Sequence, residues 1–316
     1  MRTTLFVAAL AALLTPAPSG SDGQAPATDR DFGEQLSVDY VLVPVVVEVN
    51  GRPLQSLGRD AFDLLVDGES VPIESFERGD TPATLFFLQD LSGSMALVDK
   101  LAWSRRTLAY FLDRAQPGDR FSLITFSGRQ IETVVPLTDD RDHLRKAARA
   151  WRGYGITALH DAVGLLPDLV VERPSSRRAV LLVSDGFDNA SDLTAFEARA
   201  RIRASDIPVY VIGLDTGSPY EIDAEGNKRY RYADVMNLLA HLTGGAYFSA
   251  SGTEQLDAAA ATILDELRHQ YILGFSTGGS GPPEDHEIEV RVRRRNAEVA
   301  HRRGYFGQPP LPPATR

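Results

Sequence analysis

Between Thr84 and His269 the chain alternates short apolar runs with longer amphipathic segments, and this rhythm restricts the fold more than any other feature. The apolar runs are Leu85–Gln89, Arg120–Phe126, Gln130–Val135, Ala179–Ser184, Pro208–Gly213 and Ala246–Ser249. The segments between and after them, at about 95–115, 140–151, 158–171, 192–205, 232–242 and 254–269, read as helices. Strands this apolar are buried on both faces, and strand–helix alternation builds a mostly parallel sheet with helices on each side. The third run follows the second through the tight turn Ser127-Gly128-Arg129, so it is expected as an antiparallel strand at the sheet edge. The expected fold class is α/β: a doubly wound, mostly parallel six-stranded sheet of Rossmann-like layout with one antiparallel edge strand. The polar stretch Thr216–Tyr232 reads as a surface loop. Within it, Asp223-x-Glu225-Gly226-Asn227 lacks the closing Glu of a calcium loop and reads as an ordinary turn.

The flanks have a different character. Val41 to Val49 is dense in β-branched residues and ends in Asn50-Gly51, a strong hairpin signal. Phe62–Val66 and Val71–Phe76 read as two strands around the Asp67-Gly68 turn. After the last helix, Tyr271–Phe275 is a strand, and Glu287–Arg293 alternates strictly between polar and apolar residues. The basic residues around 291–303 are expected on the solvated face of an edge strand, where charge deters strand addition. Neither β portion can bury both faces alone. The expectation is that residues 36–80 and 271–307 pair with each other, with the α/β body 82–270 inserted between them. Gln308 onward is Pro-rich and expected to be disordered.

At the N-terminus, Arg2 precedes an apolar run from Leu5 to Leu14, then small residues and prolines. This is the build of a secretory signal peptide over 1–27, with Ala25-Pro26-Ala27 as a place to cut, followed by a linker over 28–35; the competing reading is an uncleaved membrane anchor. The run is too short to span a bilayer, so no membrane span is expected in the mature chain, which is read as periplasmic or secreted. The net charge of −10 argues against a basic nucleic-acid-binding face. The absence of cysteine excludes disulfides, thiolate metal sites and Cys nucleophiles.

In an open parallel sheet, ligands sit beyond the carboxyl ends of the strands, where the strand order reverses. The first apolar run ends there in Asp90-Leu91-Ser92-Gly93-Ser94, placing Asp90, Ser92 and Ser94 at spacing two on a loop kept tight by glycine. Three convergent hard oxygens suit Mg²⁺, Mn²⁺ or Ca²⁺, whereas zinc and copper prefer softer donors. The plainer alternative is a strand followed by an Asp/Ser-rich helix cap. Two further segments bear on the choice: Asp185 closes Val180–Ser184 at another strand end, and the glycine-rich turn Gly153-Tyr154-Gly155 delivers Thr157 to the start of a helix.

Asp90-x-Ser92-x-Ser94, Thr157 in a Gly-x-Thr-x-Leu-x-Asp-Ala context, and Asp185 in a Ser-Asp-Gly turn together resemble the complete metal-ion-dependent adhesion site of von Willebrand factor type A domains. The resemblance covers about residues 82–270, and the flanking segments are similar to those of exported bacterial proteins carrying the VWFA-related domain. It implies that Ser92, Ser94 and one of Thr157 or the Asp residues bind the ion directly, with the others reaching it through water. Two carboxylates and three hydroxyls leave room for an outside Asp or Glu of a partner protein to complete the shell. Asp161 is expected either to orient a loop amide or water, or to serve a helix N-cap.

The resulting functional expectation is a metal-dependent protein-binding module of adhesion type, not an enzyme. The alternative is a structural or assembly component of the cell envelope whose metal only stabilises loops, and metal-assisted hydrolysis ranks below both. Gly274-Phe275-Ser276-Thr277-Gly278 matches a hydrolase nucleophile elbow, but the Gly/Ser/Pro run after it cannot start the helix an elbow requires. His160 alone among the six histidines falls near the constellation and is expected to be packed. A dinucleotide site is excluded because the loop after Leu88 lacks the G-x-G-x-x-G phosphate cradle.

Overall fold

The computed structural model describes residues 40–79, 81–170, 176–186, 188–203, 207–215, 220–222, 228–230, 233–278 and 281–310. The expected signal peptide and linker, the Asp223–Asn227 turn and residues 311–316 lie outside them. The first flank holds β1 (Tyr40–Val49), β2 (Arg52–Pro53), β3 (Phe62–Val66), β4 (Glu69–Val71) and β5 (Ser75–Glu77). The body begins with β6 (Thr84–Asp90), α1 (Lys100–Asp113), β7 (Arg120–Ser127), β8 (Gln130–Thr138), α2 (Arg141–Arg149), α3 (Leu159–Gly164) and α4 (Leu166–Leu169). It continues with β9 (Arg178–Ser184), α5 (Ala195–Arg203), β10 (Val209–Leu214), β11 (Tyr220–Ile222), β12 (Lys228–Tyr230), α6 (Ala233–Thr243), β13 (Tyr247–Ala250) and α7 (Thr253–His269). The second flank holds β14 (Tyr271–Ser276), β15 (Glu284–Val292), β16 (Ala297–His301) and β17 (Gly304–Gly307).

The body sheet runs β13-β10-β9-β6-β7-β8, parallel throughout except for β8 on β7 at the edge. Successive strand residues point to opposite faces, so the apolar runs build two cores at once. Phe87, Leu181, Val183 and Ile212 pack on Leu108 and Leu112 of α1, Leu144 of α2 and Ile263 of α7. Phe86, Leu88, Val180, Leu182 and Val211 pack on Val163 of α3, Ile202 of α5, and Met236 and Leu239 of α6. Both faces are buried, which is why these strands do not alternate in the sequence.

Three local expectations for the body are corrected. The helix expected from about residue 95 starts only at Lys100. Gly93–Ala96 form a 3₁₀ turn, and Val98 and Asp99 follow with φ of 50° and 57°, a left-handed backbone that no α-helix can include. The helix expected over 158–171 breaks at Leu165, and Pro167, which has no N–H, sits in the first turn of α4. The polar stretch 216–232 holds the antiparallel hairpin β11–β12.

The flanks pair across the body as expected. They do so as two sheets packed face to face: β16-β1-β14-β5 with β2 on β1, and β17-β15-β3-β4. Val43 lies opposite Leu273 and Leu64 opposite Val290, and these residues share one core with Val45, Phe62, Tyr271, Phe275 and Ile288. Val71–Phe76 is not one strand; Pro72, unable to donate to a ladder, separates β4 in one sheet from β5 in the other. Nor is β15 an edge strand, because it pairs with β17 over Glu284–Glu287 and with β3 over Ile288–Val292. Its arginines face carboxylates, Arg291 on Glu289 at 2.7 Å and Arg293 on Asp63 at 3.0 Å, so their charge is locally balanced. Part of the expected disordered tail is held: Pro309 accepts from the Gly278 amide at 3.1 Å and Pro310 bridges Thr277. Among the described residues no helix follows Ser276 before β15, and the Ser276 hydroxyl donates to Glu74 at 2.6 Å, so the elbow motif forms no elbow.

Glu266 of α7 lies against Tyr210 of β10, which donates to it and receives Gln270 Nε2 at 3.1 Å. Burial pushes the Glu266 carboxyl up to about 7; the Tyr210 hydrogen bond opposes this, and the charges of Glu48 on β1 and Asp265 on α7 add to it. A carboxyl raised on folding contributes stability that is present below its ordinary value of 4.5 and is lost as pH rises through 7. Glu266→Gln should therefore be more stable than the parent at pH 8 by on the order of 2 kcal/mol, with little difference at pH 4. Urea unfolding at the two pH values checks this, and equal shifts at both would contradict it.

Candidate metal centre

From β6 the chain leaves to β7 on one side and later returns to β9 on the other, so strand order reverses between β6 and β9. Asp90 is the last residue of β6 and Asp185 the first after β9, which puts both at the carboxyl-end crevice where such sheets bind ligands. Ser92 and Ser94 lie on the loop leaving β6, and Thr157 lies on the loop entering α3.

Backbone hydrogen bonds lace the three loops together. Gly93 N donates to Gly155 O at 3.1 Å and Tyr154 N to Leu91 O at 2.8 Å. Thr157 N donates to Asn189 Oδ1 at 2.8 Å, while Asn189 N returns to Thr157 O at 3.0 Å. Gly153 is where the loops touch most closely: a Cβ there would lie 2.7 Å from Ala96 N and 2.9 Å from Ser92 O. Gly155 supplies the left-handed turn, at φ 72°. The glycines that read as a turn in the sequence are thus where the loop carrying Thr157 meets the loop of Ser92 and Ser94.

Each side chain has a distinct environment. Asp90 is fully buried, with Oδ1 accepting Ser92 N at 2.7 Å and Oδ2 accepting Ser184 Oγ at 2.6 Å. Ser184 Oγ in turn accepts Gly186 N at 2.9 Å, so one carboxylate orders the loops after both strands. Burial pushes Asp90 up to about 6, against the pull of hydrogen bonds from Ser184 and Ser92, and the neighbouring charge of Asp185 adds to the rise. Ser92 Oγ and Ser94 Oγ share a hydrogen bond at 3.1 Å. Thr157 is 3% exposed. Asp185 Oδ2 accepts Lys100 Nζ at 3.0 Å, whereas its Oδ1 is buried with no hydrogen-bond partner.

This donor set fits a small, hard divalent cation. Two oxygens on adjacent corners of an octahedron of about 2.1 Å radius lie about 3.0 Å apart, close to the Ser92–Ser94 separation. An unpartnered buried carboxylate oxygen is costly in a folded protein unless a cation or water meets it. Among the described residues, no three His, Cys, Asp or Glu side chains converge as metal ligands. The candidate centre has only two carboxylates, and its other donors are hydroxyls.

Four supporting residues escaped the sequence reading: Ser184, Asn189, Lys100 and Asp188. Ser184 stands inside the Ser-Asp-Gly turn, the one signal that could have marked it. Asp188 accepts His160 N at 3.0 Å and Ser191 Oγ at 2.5 Å. Asp161 accepts the amides of Asp192 at 3.1 Å and Leu193 at 2.9 Å, which resolves its two expected roles in favour of orienting a loop. The His160 ring is partly buried, with Nδ1 3.7 Å from Asp188 Oδ2 and 3.3 Å from Leu193 O, as a packed histidine would be.

Four exposed hydrophobic side chains stand on the loops of this centre. Leu97 and Val98, 60% and 67% exposed, follow the serine loop; Tyr154 and Ile156, 50% and 55% exposed, precede Thr157. These are four of the eight large hydrophobic side chains left exposed among the described residues, and all four sit on two adjoining loops. The left-handed φ at Val98 is costly for a β-branched residue, and such strain concentrates at binding sites.

Comparisons with known proteins give partial similarities. A UPF0353 protein of Mycolicibacterium gilvum is 25% identical over 218 residues, covering 62% of this chain and 64% of the relative, so the match leaves over a third of that relative's length uncovered. Among solved structures, an aerotolerance-related membrane protein of Bacteroides fragilis matches with a TM-score of 0.47 at 23% identity, over 58% of this chain and 98% of that one. The von Willebrand factor type A protein of Catenulispora acidiphila matches with a TM-score of 0.48 at 11% identity, over 86% of this chain and 74% of that one. Residues 85–187, the stretch from β6 to the loop after β9, match the von Willebrand factor type A domain family.

Proposed function

We propose that this chain is an exported, metal-dependent protein-binding module of adhesion type. Asp90, Ser92, Ser94, Thr157 and Asp185 would hold one divalent cation, Mg²⁺ in the first instance, with Mn²⁺ or Ca²⁺ as substitutes. The bound ion would supply a hard positive centre with exchangeable water positions. The observation that carries the reading is the buried, unpartnered Asp185 Oδ1 on the loop beside the Ser92 and Ser94 hydroxyls, themselves 3.1 Å apart. The chain's own residues divide the work. The two serines and Thr157 present oxygens, and Asp90 fixes the loops through Ser92 N and Ser184 Oγ. An acidic side chain of a partner protein completes the shell.

A protein partner, as opposed to a small anion, is supported by the apolar rim of Leu97, Val98, Tyr154 and Ile156. Exposed apolar patches beside a polar centre mark protein contacts. Export is supported by the composition of residues 1–27, and no helix among the described residues is long and apolar enough to cross a membrane.

The test is capture of a partner from envelope extract by immobilised full chain. Bound protein should elute with chelator, rebind when Mg²⁺ is restored, and fail to bind Asp90→Ala. The paired change Leu97→Ser with Val98→Ser should cut capture at least tenfold while leaving metal affinity unchanged. Capture that ignores both chelator and Asp90→Ala would refute the reading.

A further inference from the structure

Lys100 is in an unusual place. It is the first residue of α1, where the helix dipole favours carboxylates and disfavours cations. Its side chain is only 11% exposed, so the ammonium is also largely removed from water. Among the described residues its side chain donates to Asp185 Oδ2 at 3.0 Å. Helix position and burial both oppose a lysine here, and the ion pair with Asp185 is what offsets them.

The charge balance shows what this lysine does. Asp90 and Asp185 stand at neighbouring strand ends, both buried, close enough that the charge of Asp185 is felt at Asp90. Without a cation their repulsion is uncompensated; Lys100 supplies one positive charge in the absence of metal. With a divalent ion added, two carboxylates, one ammonium and the ion sum to one positive charge. With a neutral residue at position 100 the same sum is zero. Lys100 therefore opposes metal binding through Asp185 and leaves a bound site one negative charge short. One carboxylate from outside supplies that charge.

We propose that Lys100 is a built-in counter-cation that weakens metal binding in isolation and makes it depend on an incoming carboxylate. The inference rests on the metal-binding reading above and adds to it. Metal and acidic ligand bind as a coupled pair, each raising the affinity for the other by the same factor. The module would hold its ion firmly only when engaged.

The test is calorimetric titration of Mn²⁺ into the full chain, in chloride and in acetate at equal ionic strength, corrected for Mn²⁺–acetate complexation. Lys100→Met should bind Mn²⁺ at least tenfold more tightly than the parent in chloride. Acetate should tighten binding to the parent at least threefold and to Lys100→Met less than twofold. Lys100→Arg, which keeps the charge, should match the parent within threefold. Thermal melting gives a second readout: without metal, Lys100→Met should melt below the parent, and Mn²⁺ should raise its melting temperature by more. Equal or weaker Mn²⁺ binding by Lys100→Met would overturn the role of Lys100 while leaving the metal reading intact. Absence of Mn²⁺ binding by the parent and every variant would overturn both. Binding by Lys100→Met alone would support both.

Discussion

Asp119→Ala is expected to lower the free energy of unfolding by about 3–5 kcal/mol, among the largest single-residue effects in this molecule. Asp119 stands just before β7 and forms a two-pronged pair with Arg268 near the end of α7, with side-chain exposures of only 2% and 11%. It also accepts the amides of Ala83 at 2.8 Å and Gln116 at 2.7 Å, fixing the entry to β6 and the turn before β7. Burial alone would push this carboxyl up, but Arg268 and the two amides overcome it and hold the group below its ordinary value. Its contribution is thus present at neutral pH and lost as pH falls below the ordinary carboxylate range. Alanine leaves the Arg268 guanidinium buried without its counter-charge, which costs more than losing the pair itself. Asp119→Leu combined with Arg268→Met should therefore recover part of the loss. Urea unfolding of the two single variants and the double measures it, and simple additivity would contradict the account.

The second large effect concerns the site. Asp185→Asn keeps the shape of the side chain and removes the charge that holds Lys100 and that carries the unpartnered Oδ1. Affinity for Mn²⁺ should fall at least a hundredfold, at the upper end of what single changes in and around metal sites cost. Ser94→Ala should cost about tenfold, since water can replace one neutral oxygen more readily than a charge. Asp161→Ala should leave affinity nearly unchanged, because its carboxylate holds the amides of Asp192 and Leu193. Competition between Mg²⁺ and Mn²⁺, followed by the paramagnetic signal of free Mn²⁺, ranks the three. A large loss in Asp161→Ala with none in Asp185→Asn would reverse the assignment.

Much of this was legible because it depends on patterns that survive in one dimension. Leu85–Asp90 and Val180–Ser184 had to be buried on both faces, so a parallel sheet followed, and with it the position of Asp90 and Asp185 at the carboxyl ends of strands. The flanking strands could be paired because Val43, Leu64, Leu273 and Val290 lie on alternating faces that needed covering. What could not be read depends on three-dimensional neighbours. Nothing local distinguishes Lys100 from an exposed lysine in a first helical turn; only α1 lying beside the end of β9 does. Ser184 and Asn189 act on Asp90 and Thr157, far away in the chain. The late start of α1 turns on two left-handed residues, Val98 and Asp99, and a valine gives no warning of that backbone. Pro72 and Pro167 were visible as breakers, yet the dense apolar pattern around each outweighed them. The charged face of β15 read as an edge because the partners that pair with it, β3 and β17, lie on both sides of it in sequence.

The central claim is that one divalent ion is held where the loops after β6 and β9 meet the loop before α3. Calorimetric titration of Mn²⁺ into the purified full chain tests it most directly. The account predicts a single site per chain that Mg²⁺ competes for and that Asp185→Asn loses. No binding at millimolar ion by the parent or by Lys100→Met, or binding that survives Asp185→Asn and Ser94→Ala together, would contradict it.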